Sequence, residues 1–140
     1  MRILLLDDDL ESLDSLSMAL FAKGHESVEY NDSDSALNEF RPGRFDLVVT
    51  DLRMPGINGL EVLRRVRDFD PEIPIIIISA FADNENTAAA RNEGAFAFFS
   101  KPLDLKRFFS VLADLELELS DKNKNISENG FMSASDPQPG

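Results

Sequence analysis

The chain has no cysteine and no tryptophan, and only one tyrosine and one histidine among its 140 residues. The lack of cysteine excludes a disulfide framework and thiolate chemistry. It is compatible with a reducing cytoplasm, the compartment expected for this chain. No apolar run approaches the roughly 20 residues that a membrane-spanning helix needs. The opening run Ile3-Leu4-Leu5-Leu6 meets Asp7 at once and is too short for a signal peptide. Basic residues are outnumbered, with 14 Lys and Arg against 26 Asp and Glu, for a net charge of −12. So acidic a surface repels phosphate backbones, which argues against direct nucleic-acid binding, and with no spanning run no membrane partner is expected. The one imidazole, His25, follows Gly24 at a turn. It is expected at the surface, with no catalytic role.

What is present is a pattern of alternation. Apolar, strand-like runs near 2–6, 26–30, 45–50, 73–78 and 96–99 are separated by stretches of helical periodicity. Repeated β-α units of this kind predict an α/β fold: a doubly wound, five-stranded parallel sheet with helices on both faces. The first helix shows Leu10, Leu13, Leu16, Leu20 and Phe21 at helical spacing and stops at Gly24. The second, about 34–41, follows Asp32-Ser33 as cap candidates and ends before Pro42-Gly43. A third, about 59–69, follows Asn58 and carries Leu60, Leu63 and Val66 on one face. A fourth, about 84–93, is rich in alanine, so weak packing is expected of it. A fifth starts after Asp104 with Leu105, Phe108, Phe109, Leu112 and Leu115. The domain is expected to cover 1–119. Residues 120–140, polar and rich in breakers, read as a disordered tail or the start of a linker.

The strands end on chemistry. The first stops at Asp7-Asp8-Asp9, the third at Asp51, the fourth at Ser79 and the fifth at Ser100-Lys101-Pro102. Parallel strands place their carboxyl ends at one edge of the sheet, and in an open sheet the ligand crevice lies there. Clustered carboxylates suit a hard dication such as Mg2+, which prefers oxygen ligands and relieves their mutual repulsion. A carboxylate can also attack a phosphoryl group, and such transfer depends chiefly on positioning and charge neutralisation. Lys101 and a metal could neutralise phosphate oxygens, and the Ser79 hydroxyl could donate to another. Each residue alone has a plainer reading: Asp7-Asp8-Asp9 as a polar turn and helix cap, Asp51 as a turn residue, Lys101 as a solvated lysine. The four strand ends together, in this order, favour the site.

Four segments carry a resemblance to the receiver domain of two-component response regulators. They are Ile3 to Asp9, Thr50 to Gly59, Ile76 to Ala80, and Gly94 to Pro102, and the likeness extends over about residues 1–118. The resemblance implies a sheet of order 2-1-3-4-5 with five helices. It makes Asp51 the phosphoacceptor, a phosphoprotein site rather than an enzyme's. The metal ligands would be Asp8 directly, Asp7 largely through water, Asp51 and the Arg53 backbone carbonyl. Ser79, Lys101 and the Ala80 amide would take phosphate oxygens. Ser79 and Phe98 would be the switch residues, although the family more often has Thr and Tyr there. The Lys101–Pro102 bond is expected to be cis.

The implied partner is a sensor histidine kinase or a histidine phosphotransfer protein. The implied output surface is the face of the fourth helix, fifth strand and fifth helix, around 88–93, Phe99 and Lys106, with a homodimer through that face as a candidate assembly. Among the phenylalanines at 81, 96, 99 and 109, core packing is the plainer reading. Phe81 and Phe99 are the candidates for exposed contact.

Three other classes compete, and one of them, a purely structural interaction domain, would leave Asp51 and Lys101 unexplained. A haloacid-dehalogenase-like Mg2+ phosphatase would also use an Asp-x-Asp opening and Ser79. Here, however, Leu10-Glu11 replaces its Gly-Thr, no late acidic pair follows the lysine, and Asp51 would be idle. A flavodoxin-like flavin module would need a phosphate-cradling Ser/Thr/Gly loop after the first strand, where this chain has acids.

Overall fold

The computed structural model describes the backbone of residues 1–132 and the side chains of residues 1–121. It divides into two units, Met1–Leu103 and the segment from Asp104 onward. In the first unit, β1 (Arg2–Leu6), β2 (Glu26–Tyr30), β3 (Leu47–Asp51), β4 (Ile75–Ser79) and β5 (Ala97–Ser100) alternate with α1 (Leu10–Ala22), α2 (Ser33–Glu39), α3 (Gly59–Phe69) and α4 (Asn84–Asn92). All strand pairs are parallel, in the order β2-β1-β3-β4-β5. Each crossover is a helix, as parallel neighbours require.

The three central strands are buried on both faces. Ile3 to Leu6, Leu47 to Thr50 and Ile75 to Ser79 are all buried, which is why they read as continuous apolar runs rather than as alternating ones. One face packs Leu4, Leu6, Val48, Ile75 and Ile77 with Val62, Leu63 and Val66 of α3. Short polar side chains start the helices. Asp9, Asp32, Asn58 and Asp83 each accept a backbone N–H from the first turn of α1, α2, α3 and α4, satisfying donors that have no partner within the helix.

In the second unit α5 (Leu105–Met132) begins with Asp104 accepting the Arg107 N–H at 3.2 Å. Among the described residues Phe108, Leu112 and Leu115 are its buried positions, and the Phe108 and Phe109 rings meet edge-on at 5.7 Å. The helix runs past Ser120, where a tail or linker was expected to begin. Leu115 to Leu119 are helix formers, and the first proline after Pro102 is Pro137. The rest of that expected tail, 133–140, lies outside the described residues.

Two expectations about burial are corrected, those for His25 and Phe99, and the buried face of the first helix is now defined. His25 is buried, 6% exposed. The pairing of Arg2 with Glu26 sets it beside the chain start, where the Met1 amino group lies 3.0 Å from its Nδ1. In α1 only Leu13 and Leu20 are buried, while Leu10 and Phe21 are 59% and 81% exposed. Both lie some way around the helix from the buried stripe at 100° per residue. Phe99 is buried, 5% exposed, rather than available for contact, the one buried position of the edge strand β5. Phe81 and Phe96 are the exposed rings of that group.

Candidate functional site at the carboxyl edge of the sheet

Register brings the strand ends together. Leu6 pairs with Thr50, Asp51 with Ile78 and Ser79 with Ser100, so Asp7, Asp51, Ser79 and Lys101 emerge along one edge. Lys101 Nζ donates to Asp7 Oδ2 at 2.9 Å and to Asp51 Oδ2 at 3.1 Å. Asp7 and Asp51 are largely buried, their side chains 13% and 11% exposed.

The three consecutive acids divide their tasks. Asp9 caps α1 and also accepts from Ser12 Oγ. Asp7 accepts the Asp9 N–H at 3.0 Å through Oδ1, while its other oxygen holds Lys101. Asp8 is exposed, and its carboxylate lies with those of Asp7 and Asp51 in a group whose ligand atoms are all within 4.8 Å of one another. This all-oxygen donor set fits a hard divalent ion.

Crowding shows in the protonation equilibria. Burial pushes the Asp51 carboxyl above its ordinary range; the Lys101 hydrogen bond pulls it back, and the Asp7 charge pushes it up again. For Lys101, burial acts against the ammonium, but the hydrogen bonds to Asp7 and Asp51 prevail and raise its pKa. One cation is shared by two acids, so Lys101 gains more than Asp51 does.

Backbone contacts hold Asp51 in place. Thr50 Oγ1 donates to the Asp51 carbonyl at 2.9 Å, and the Leu52 N–H donates to the Ile78 carbonyl at 3.1 Å. Gly59 opens α3 directly against this turn. A Cβ there would stand 2.4 Å from the Asp51 carbonyl oxygen, so any side chain would displace the strand end. Gly56, at φ +81°, takes a left-handed turn in the same loop. The close approach of Gly59 was not read from the sequence, although a glycine just after a capping Asn58 was its visible signal.

The remaining sequence-derived residues fall around this centre. Ser79 is fully buried, and its Oγ accepts the Phe81 N–H at 2.9 Å. Ala80 is exposed and Phe98 half-buried. The Lys101–Pro102 peptide is cis, as expected. Arg53 lines an open cleft of about 540 Å3 together with Asp8, Asn58 and Asn86. Its guanidinium lies over the Phe81 ring, 4.4 Å from the centroid, a contact the sequence reading did not foresee.

Comparison with known proteins agrees with this geometry. The chain is 32% identical over 112 residues to the transcriptional regulatory protein ZraR of Klebsiella oxytoca, covering 80% of this chain and 25% of ZraR. It is 32% identical over 125 residues to the regulatory protein AtoC of Escherichia coli, covering 89% and 27% respectively. It thus spans about a quarter of the length of these curated relatives. Among solved structures, the non-phosphorylated HemR receiver domain from Leptospira biflexa superposes with a TM-score of 0.76 at 31% identity, covering 81% of this chain and 92% of that one. A receiver domain from Clostridium thermocellum gives 0.80 at 26%, covering 85% and 96%. The haloacid-dehalogenase reading finds no support in these likenesses. With a family model, the response regulator receiver domain, matching residues 3–113 and the strand order found in its structural neighbours, the chain belongs to the receiver domains of response regulators, a family of signalling domains.

Proposed function

We propose that Asp51 accepts a phosphoryl group from a phosphohistidine on a histidine kinase or phosphotransfer protein, and that the added charge switches the domain's output surface. The observation that carries this reading is the Lys101 ammonium held on both Asp7 and Asp51 at the carboxyl edge of the sheet. A lysine there neutralises the acids before transfer and is in place for a phosphoryl oxygen afterwards.

In the transfer an Asp51 carboxylate oxygen attacks phosphorus. The P–N bond to the donor imidazole breaks, and its electron pair stays on the ring nitrogen. Asp7, Asp8, Asp51 and the Arg53 carbonyl would hold Mg2+, which supplies positive charge opposite the phosphoryl oxygens. Lys101 exchanges its bond to Asp51 for one to the phosphoryl group, Ser79 turns its hydroxyl toward it, and the Ala80 amide donates to another oxygen. Movement of Ser79 vacates space into which the half-buried Phe98 ring turns. The surface of α4 and β5, which the family likeness extends to the fifth helix, is remodelled as a population shift between two arrangements. That face serves an output partner or a second copy of the chain. The name of ZraR, a transcriptional regulatory protein, supports an output in transcription, reached through protein contacts rather than by this domain binding DNA. The same reading places the domain in the cytoplasm; among the described residues, no helix is long and apolar enough to cross a membrane.

The test is intact mass after incubation with Mg2+ and acetyl phosphate, with Asp51→Asn alongside. A single Mg2+-dependent phosphoryl adduct on the parent, missing in the variant, is the expected result. An adduct that survives in Asp51→Asn would remove Asp51 from the acceptor role. No adduct on a parent that binds Mg2+ would end the reading.

A further inference from the structure

The Arg53 side chain has no task in the site described above, where only its backbone carbonyl is used. It makes no ion pair among the described residues, yet it lies over the exposed ring of Phe81, 4.4 Å from guanidinium carbon to centroid. Arg53 belongs to the loop after β3, which ends on Asp51. Phe81 belongs to the loop after β4, which ends on Ser79. The stack therefore joins the two loops at the mouth of the site. Phe81 also reaches the site itself, because its N–H donates to Ser79 Oγ at 2.9 Å. A second bond steadies the same residue, with Asn86 Nδ2 donating to the Phe81 carbonyl at 2.9 Å.

We propose that the Arg53–Phe81 stack is a latch that holds the Phe81 amide on the Ser79 hydroxyl and so favours the resting arrangement of the switch. This rests on the phosphoacceptor reading and names the residue pair that regulates it. Ser79 Oγ is occupied by the Phe81 N–H in the structure described. To turn toward a phosphoryl oxygen it must leave that donor, or the loop carrying Phe81 must move with it. The part-buried Phe81 N–H must then give up this acceptor, and the loss of that hydrogen bond opposes the change. Anything that fixes Phe81 therefore stabilises the resting rotamer of Ser79, and a guanidinium on an aromatic face does so without contacting the reacting atoms. Arg53 and Phe81 are positioning residues in this account.

The test has two readouts on the full chain. In the Mg2+-free, unphosphorylated protein, exchange of the Phe81 amide hydrogen is expected to quicken by about two- to fivefold in Arg53→Met, the scale of an exposed stack of this kind. Arg53→Lys, which keeps a cation over the ring, is expected to restore part of the protection. Affinity for beryllofluoride with Mg2+, a mimic of the aspartyl phosphate, is expected to rise by a similar factor in Arg53→Met and in Phe81→Leu. The double variant should gain no more than the larger single effect, and Phe81→Tyr, which keeps the ring, should behave as the parent. Unchanged exchange in Arg53→Met, unchanged beryllofluoride affinity, or multiplicative effects in the double variant would each overturn the latch. A parent that binds no beryllofluoride would instead remove the phosphoacceptor reading, and amide exchange alone would then decide whether the stack holds Phe81 on Ser79.

Discussion

The helices that follow Asp51 and Ser79 begin alike and are held differently. Asn58 caps α3 by accepting the Glu61 N–H at 3.0 Å, and Asp83 caps α4 by accepting the Asn86 N–H at 2.7 Å. From there α3 buries Gly59, Val62, Leu63 and Val66, whereas α4 buries only Ala90. Capping starts a helix, but the apolar area it buries decides how firmly it is seated. The element leading away from Asp51 is anchored in the core. The element leading away from Ser79 has one buried methyl group and is tied to its neighbours mostly by polar bonds. Arg64 of α3 pairs with Glu93 at 3.0 Å, and Arg67 donates to the Gly94 carbonyl at 2.8 Å. Those bonds gather at the carboxyl end of α4, leaving its amino end, next to Phe81, the less anchored one.

The largest test of this contrast removes apolar area from each helix. Leu63→Ala in α3 is expected to cost about 2–5 kcal/mol by chemical denaturation, against about 1 kcal/mol for Ala90→Gly in α4. Equal losses would erase the distinction. Next comes Gly59→Ala. The new Cβ must displace the Asp51 carbonyl, so a loss of about 1–3 kcal/mol is expected, with slower formation of the phosphoryl adduct because the strand end moves with it. A stable variant with the parent's rate would show that the strand end yields freely.

Smaller effects sharpen the comparison by addressing what the two helices share. Asn58→Ala and Asp83→Ala should each cost about 1 kcal/mol, alike despite unequal burial, since each leaves the same kind of backbone donor unsatisfied. The smallest effect is one of pH. Burial, above the other influences, raises the Asp51 pKa from 3.8, so folding disfavours its charged form. That penalty is absent below 3.8 and sets in as pH rises through the folded value. Asp51→Asn should therefore gain thermal stability relative to the parent at neutral pH, and the gain should vanish on acidification. A gain that grew on acidification would reverse the assigned sign. Lys101 acts oppositely. Its raised pKa contributes stability that is present below 10.5 and lost as pH rises through the folded value.

Much of this was legible in the chain because it is local. Continuous apolar runs marked strands buried on both faces, and Asp or Asn before a periodic segment marked the starts of the first, second, third and fifth helices, though not that of the fourth, which Asp83 caps. Asp7, Asp51, Ser79 and Lys101 stood out as polar residues closing apolar runs. Less legible was whatever depends on neighbours distant in sequence. Helical spacing alone could not say that Leu10 and Phe21 face solvent while Leu13 and Leu20 do not, since that depends on how the helix is rotated against the sheet. His25 looked like a turn residue until the pairing of β1 with β2 enclosed it. Phe99 could not be told from the half-buried Phe98 beside it by the local sequence alone. Nothing in the text of the chain marked Arg53 and Phe81 as neighbours, because two surface loops approach only once both strands are in register.

The sequence by itself determined the alternation of strands and helices, their caps, and the chemical groups that end each strand. These follow from propensity and periodicity within a few residues. Only the tertiary structure decided which of the acids share the lysine. Lys101 bonds to partners 94 and 50 positions away, Asp7 and Asp51, and not to the capping Asp9. The reason is geometric: parallel register sets the ends of β1, β3 and β5 at one edge of the sheet, and no local preference of the chain encodes that meeting.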